Sequence, residues 1–120
     1  MDKDHRKYLL DIKQAIEEIE VATNERSRKF EVFIEDFVFR KFVERNIEII
    51  GEAMNRVLKL YPDIKITSAR KIVDTRNYVI HSYDSLIPEI LWAIVINHLP
   101  ILKKEINDLL QESDNSLCHK

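Results

Sequence analysis

The sequence predicts an all-α fold: a single-domain, antiparallel bundle of four main helices, the last of them kinked at a proline. Three observations point there. The chain has one glycine and three prolines in 120 residues, too few to build the hairpin turns of a β-rich fold. Apolar residues recur at spacings of three and four over stretches much longer than a strand. Apolar residues make up 45% and charged residues 33%, a balance that suits neither a disordered chain nor a membrane protein. A chain of this length fits one domain and can bury roughly two thirds of the surface its unfolded form exposes. Residues 1–112 are expected to form the bundle and 113–120 a flexible polar tail.

The first helix is expected from Lys3 to Thr23, capped by Asp2 or Asp4. Tyr8, Leu9, Ile12, Ile16 and Ile19 form its apolar stripe, and Lys7, Asp11, Gln14 and Glu18 its wet side. The polar run Thr23-Asn24-Glu25-Arg26-Ser27 breaks that pattern.

The second helix is expected to fill most of Lys29 to Leu60, with a break near Asp36. Pro62 disfavours helical geometry at Tyr61 and stops it. Phe37 and Phe39 are two residues apart, so they point ~200° apart on a helix. A helix apolar on two sides needs two apolar neighbours. One neighbour is the core; the other is either a second copy of the chain or another helix of the same bundle. Gly51, the single glycine, lies inside this helix at a cost of up to ~1 kcal/mol against alanine, which implies close approach of another helix.

Asp63-Ile64-Lys65-Ile66 reads as an extended link. Thr67 or Ser68 can cap the third helix, which should run to about Ile80 on Ala69, Ile72, Val73, Val79 and Ile80. Ser82 to Ser85 make a corner. The fourth helix is expected from Leu86 to Leu110, with Pro88 tolerated in its first turn. Its stripe is Ile90, Leu91, Ile94, Val95, Leu99, Leu102, Ile106 and Leu109, with Trp92 at the flank. Pro100 lies inside the stripe and should kink the helix without ending it.

The net charge is −2, from 19 basic and 21 acidic residues, so nothing attracts nucleic acid in general. An RNA contact needs a local patch; Arg40-Lys41, Lys103-Lys104, Arg45 and Arg56 are the candidates. Cys118 is the single cysteine, which excludes an intramolecular disulfide and a cysteine metal cluster. No metal-ligand spacing appears, and no metal or cofactor is expected. No apolar stretch reaches ~18 residues and the N-terminus lacks a signal-peptide core, so a reducing cytoplasm is the expected setting. His5 and His119 are expected in solvent, and His98 as a packing or surface residue.

Polar groups gather where the third helix meets its corner: Arg76, Asn77, His81 and Tyr83. Asn77 and His81 are four apart and would share a helical face. Arg76 and His81 are five apart, ~140° on an unbroken helix, so the helix must end near Ile80 to swing them together. These groups permit metal-free RNA cleavage, in which a 2′-hydroxyl attacks the adjacent phosphorus and the 5′-oxygen leaves. A histidine moves the proton near neutral pH, and a guanidinium fork stabilises charge on the phosphate. Asn77 could hold His81 or bind the phosphate. Taken alone, the same residues also suit a helix terminus that satisfies its own carbonyls and macrodipole.

The pattern Arg76-Asn77-(three residues)-His81 resembles the Arg-x4-6-His signature of HEPN domains, and the added Tyr83 gives the Arg-x4-His-x-Tyr form of the HepT family. Glu44 to Ala53, with Ile50-Gly51-Glu52-Ala53, resembles that family's second helix. His98-Leu99-Pro100-Ile101-Leu102 resembles its kinked last helix. The resemblance spans about Asp4 to Leu110. It departs at Ser68-Ala69, where relatives often carry a tryptophan. What it implies is a toxin that is a metal-independent endoribonuclease, acting in some relatives on tRNA. Arg76 and His81 would be catalytic, with Asn77 in support. The chain would work as a homodimer, with an MntA-type nucleotidyltransferase antitoxin that transfers AMP to Tyr83 and that could join it in a larger assembly. No membrane partner is implied. The alternative within the same resemblance is a non-catalytic binding or scaffolding partner of a nucleotidyltransferase.

Overall fold

The computed structural model describes residues 3–74 and 88–118, the side chains of 3 and 113–118 excepted. The described chain is helical, as the sequence requires: α1 (Lys3–Glu25), α2 (Phe30–Glu35), α3 (Phe37–Leu60), the start of α4 at residues 69–74, α5 (Pro88–Ala93), a π turn (Ile94–His98) and α6 (Leu99–Cys118). No strand occurs among the described residues.

The apolar stripes meet in one core. Leu9, Ile12, Ile16 and Ile19 of α1 face Val43, Ile47, Ile50, Met54 and Val57 of α3 and Leu102 and Ile106 of α6, each essentially without solvent contact. α1 and α3 run antiparallel. His5 packs edge-on against Tyr61 at one end, and Arg26 meets Asp36 at the other. His5 is therefore buried and not in solvent. It stands four and seven residues before Leu9 and Ile12, on the core stripe, and burial follows from that register.

The break expected near Asp36 has a specific cause. The Asp36 backbone is extended, and its Oδ1 accepts from the Phe39 amide at 2.9 Å, capping α3. Its Oδ2 accepts from Arg26 Nε at 3.1 Å, and Arg26 also donates to the Ala22 carbonyl at 3.0 Å. One carboxylate thus starts α3 and ties it to the end of α1. The Phe39 amide and then the Arg26 hydrogen bond hold the Asp36 carboxyl below its ordinary pKa of 3.8. A depressed carboxyl pKa adds stability that is present above the unfolded value and lost as pH falls through the folded one. Asp36→Asn is therefore expected to melt earlier than wild type at neutral pH. The two melting curves should converge as pH drops below the carboxylate range; a constant gap at every pH would count against this role.

Phe37 and Phe39 divide as their spacing requires. Phe39 is in the core, whereas Phe37 is 60% exposed, under the cations of Arg40 and Lys41 at 5.9 and 5.5 Å.

The last helix differs from its expected form in two places. Its irregularity is the π turn just before the proline, closed by the Leu99 amide on the Ile94 carbonyl. Ile94 and Leu99 are five apart and both buried, a spacing that a π turn accommodates. Ile90 is 41% exposed, and Leu110 joins the core while Leu109 is half-buried. At the other end, α6 continues to Cys118, past the expected end at Leu110. Loss of the apolar stripe marked the end of burial there, and Gln111 and Glu112 are indeed exposed. No helix among the described residues is long and apolar enough to cross a membrane.

Candidate functional site

Arg76, Asn77, His81 and Tyr83 all lie outside the described residues, and so does the helix end on which their convergence depends. What the structure describes is the frame on either side of them.

On the entering side, Ile66, Ala69, Ile72 and Val73 are buried and seat the start of α4 on the core. The link before it is clamped. Both the amide and the hydroxyl of Thr67 donate to Glu105 Oε2 at 2.9 Å. Ser68 takes the position before the helix, its carbonyl accepting from the Ile72 amide at 3.0 Å. Of the two residues able to cap α4, Thr67 is thus committed to α6, and Ser68 stands at the cap. The Ser68 hydroxyl lies 3.5 Å from His98 Nδ1, on the π turn. Burial first, and then the charge of Lys71, lower the pKa of His98, which favours a neutral ring.

On the leaving side, the chain returns at Pro88 into α5, which packs on α2 and α3. Leu91 is buried, and Trp92 lies 5.0 Å from Phe33 between ring centroids. The motif segment is thus strung between two anchored points.

The cations considered for RNA are mostly engaged. Lys103 lies 2.9 Å from Glu20 Oε1 and donates to its Oε2 at 3.3 Å, a hydrogen bond that raises the Lys103 pKa. Lys104 pairs with Asp108 at 3.1 Å, Arg45 with Glu48 at 3.3 Å, Arg56 with Glu52 at 3.5 Å and Lys41 with Glu44 at 3.6 Å. Lys104 and Arg45 keep 80% and 73% of their side chains exposed, so they remain the cations most accessible to a phosphate. Among the described residues, no three His, Cys, Asp or Glu side chains converge as a metal site would require.

Asn46 was not singled out by its sequence position, yet it is buried at 3% exposure. Its amide donates to the Phe42 carbonyl at 3.0 Å, and its Oδ1 has no hydrogen-bond partner among the described residues. The signal was its place within the run Val43, Ile47, Ile50, where a polar residue on a core face stands out.

Comparison with known proteins bears on the same region. A protein of Methanocaldococcus jannaschii named "Putative RNase" is 32% identical over 96% of this chain and 98% of its own length. A "Probable ribonuclease HepT" of Thermococcus cleftensis is 35% identical over 91% of this chain and 98% of its own. No solved structure matches the chain. The sequence model of the family described as ribonuclease HepT-like matches residues 12–109, which include the whole segment from Arg76 to Tyr83. The chain belongs to the ribonuclease HepT-like family.

Proposed function

We propose that this chain is the toxin of a HepT/MntA-type toxin–antitoxin pair: a metal-independent endoribonuclease, active as a homodimer, that AMP transfer to Tyr83 switches off. The observation that supports it is the complete Arg76-x4-His81-x-Tyr83 set inside the span matched to a ribonuclease family.

His81 of one protomer takes the proton from a 2′-hydroxyl as its oxygen bonds to the adjacent phosphorus. The guanidinium of Arg76 holds the phosphate oxygens while negative charge develops on them. The bond from phosphorus to the 5′-oxygen breaks, and the departing oxygen takes a proton from the imidazolium of the second copy. The products are a 2′,3′-cyclic phosphate and a 5′-hydroxyl. Asn77 orients the imidazole or the phosphate. An AMP on the Tyr83 oxygen, formed as pyrophosphate leaves ATP, adds a phosphodiester charge and a nucleoside beside this site and repels RNA. A tRNA would suit as substrate, as in some members of the family.

End mapping tests the chemistry. RNA cut in the presence of EDTA should carry cyclic phosphates and 5′-hydroxyls. Cleavage abolished by the chelator, or fragments with 5′-phosphates, would rule out this route. The switch is tested separately. Incubation with a nucleotidyltransferase partner and ATP should add AMP-sized mass to wild type and none to Tyr83→Phe. Mass added equally to both would remove the regulatory half.

A further inference from the structure

A single exposed apolar side chain needs no explanation, but Phe37, at the start of α3, has particular neighbours. Its ring is 60% exposed. Arg40 Cζ stands 5.9 Å and Lys41 Nζ 5.5 Å from the ring centroid, within the range of a cation–π contact. Phe37 precedes Val38 by one residue, ~100° round the helix. Val38 lines the open groove between α1 and α3, and Phe37 does not.

The two cations are not fully spent. No carboxylate pairs with Arg40 among the described residues, and its buried Nε has no hydrogen-bond partner there. Its guanidinium therefore keeps donors to offer. Lys41 lies 3.6 Å from Glu44 with its side chain still 53% exposed, a pairing of small energetic weight. Of the acids in this stretch, Asp36 is held by Arg26 and the Phe39 amide, and Glu44 is 14% exposed. Glu35 is exposed and is the one without an ion-pair partner among the described residues. The patch also lies on the approach to the motif. Phe33, four residues before Phe37, is 5.0 Å from Trp92 of α5, the helix on which the chain returns from Arg76 to Tyr83.

We propose that Phe37, Arg40 and Lys41 form a subsite for single-stranded RNA, in which Phe37 stacks on one base and the two cations take the adjoining phosphates. An unpaired nucleotide needs a flat apolar face for its base and positive charge for its backbone, and the patch supplies both. A base inside a duplex has its faces covered by its neighbours and cannot use the ring. A protein partner is the poorer fit, because the centres of protein interfaces are depleted in lysine. The proposal rests on the reading of the chain as a ribonuclease and names a contact that its substrate makes away from the cut.

Fluorescence anisotropy with a 2′-O-methyl RNA oligomer tests it, since that probe lacks the attacking hydroxyl and stays whole. Phe37→Ala should weaken binding of the single strand by roughly 5–100-fold and leave binding of the same sequence as a duplex unchanged. Phe37→Trp should bind the single strand at least as tightly as wild type. Arg40→Gln and Lys41→Gln should each flatten the slope of log affinity against log salt by about 0.7. Phe37→Ala should leave that slope as it is, because stacking neutralises no phosphate. Wild-type affinity in Phe37→Ala, or an equal penalty on single strand and duplex, would overturn the proposal. So would a Phe37→Ala protein that loses self-association in sedimentation equilibrium and still binds RNA normally, which would give the ring to a protein contact. Wild type that shows the expected binding pattern and leaves unmodified RNA uncut would overturn the catalytic reading while the subsite stands.

Discussion

His81→Ala is expected to lower RNA cleavage by ~10²–10⁴-fold, the range that one positioned acid–base group supplies, and to abolish growth arrest when expressed. In the proposed homodimer, His81→Ala would remove an imidazole from both copies and with it both proton transfers, which sets the expectation at the upper end of that range. Helix content should not change, because α1, α3 and α6 are held together by Leu9, Ile12, Ile16, Ile47, Ile50, Leu102 and Ile106. Arg76→Lys sharpens the test. Lysine keeps the charge and loses the planar fork that binds two phosphate oxygens at once, so cleavage should fall while the salt dependence of RNA binding is nearly preserved. His81→Ala protein that cuts RNA as fast as wild type would end the catalytic assignment.

The bundle was legible in the sequence because helix burial is periodic. Leu9, Ile12, Ile16 and Ile19 of the expected α1 stripe are buried in the core, with Tyr8 partly buried against it, and Pro62 follows directly on the Tyr61 cap of α3. What escaped were features set by single contacts. Asp36 marks a break on paper, but its second bond, to Arg26, depends on how α1 returns against α3. The π turn at Ile94–His98 is invisible to a 3.6-residue template, and Leu110, which the expected stripe passed over for Leu109, is the one fully in the core. His5 was read by its closeness to the terminus, although its spacing to Leu9 and Ile12 already placed it on the buried face.

The candidate site was legible only as residue types in a pattern. Spacing along one chain says which groups could share a helix face. It does not say where a helix stops or what a second copy brings. The Thr67–Glu105 clamp and the Ser68–His98 contact link residues 38 and 30 apart in sequence, beyond the reach of any local pattern. They explain how the strand of chain leading to Arg76 is held, and they were not foreseeable from either partner alone.

Phe33→Ala is expected to be the most destabilising single change in the fold outside the long stripes, at about 3–5 kcal/mol by the usual scale for a buried phenylalanine. α2 has six residues, too short to be helical without tertiary support, and Phe33 is its one buried residue. The ring stands edge-on to Phe39 at 5.3 Å and tilted against Trp92 at 5.0 Å. It therefore joins α2, α3 and α5 at one point, and α5 is where the chain returns from the motif. A loss of this size is a large share of the ~5–15 kcal/mol that holds an ordinary domain, so the urea midpoint should move far toward zero. Phe33→Leu, which keeps most of the volume, should cost less than about 1.5 kcal/mol. Phe37→Ala provides the contrast. It removes the same ring from a position 60% exposed and should cost under ~1 kcal/mol, from the loss of its cation contacts alone. Equal losses at the two phenylalanines would mean that Phe33 does not join these three helices. A midpoint that falls for Phe33→Ala together with RNA cleavage, at temperatures where the variant is still folded, would show that the α2–α5 contact positions the segment carrying His81.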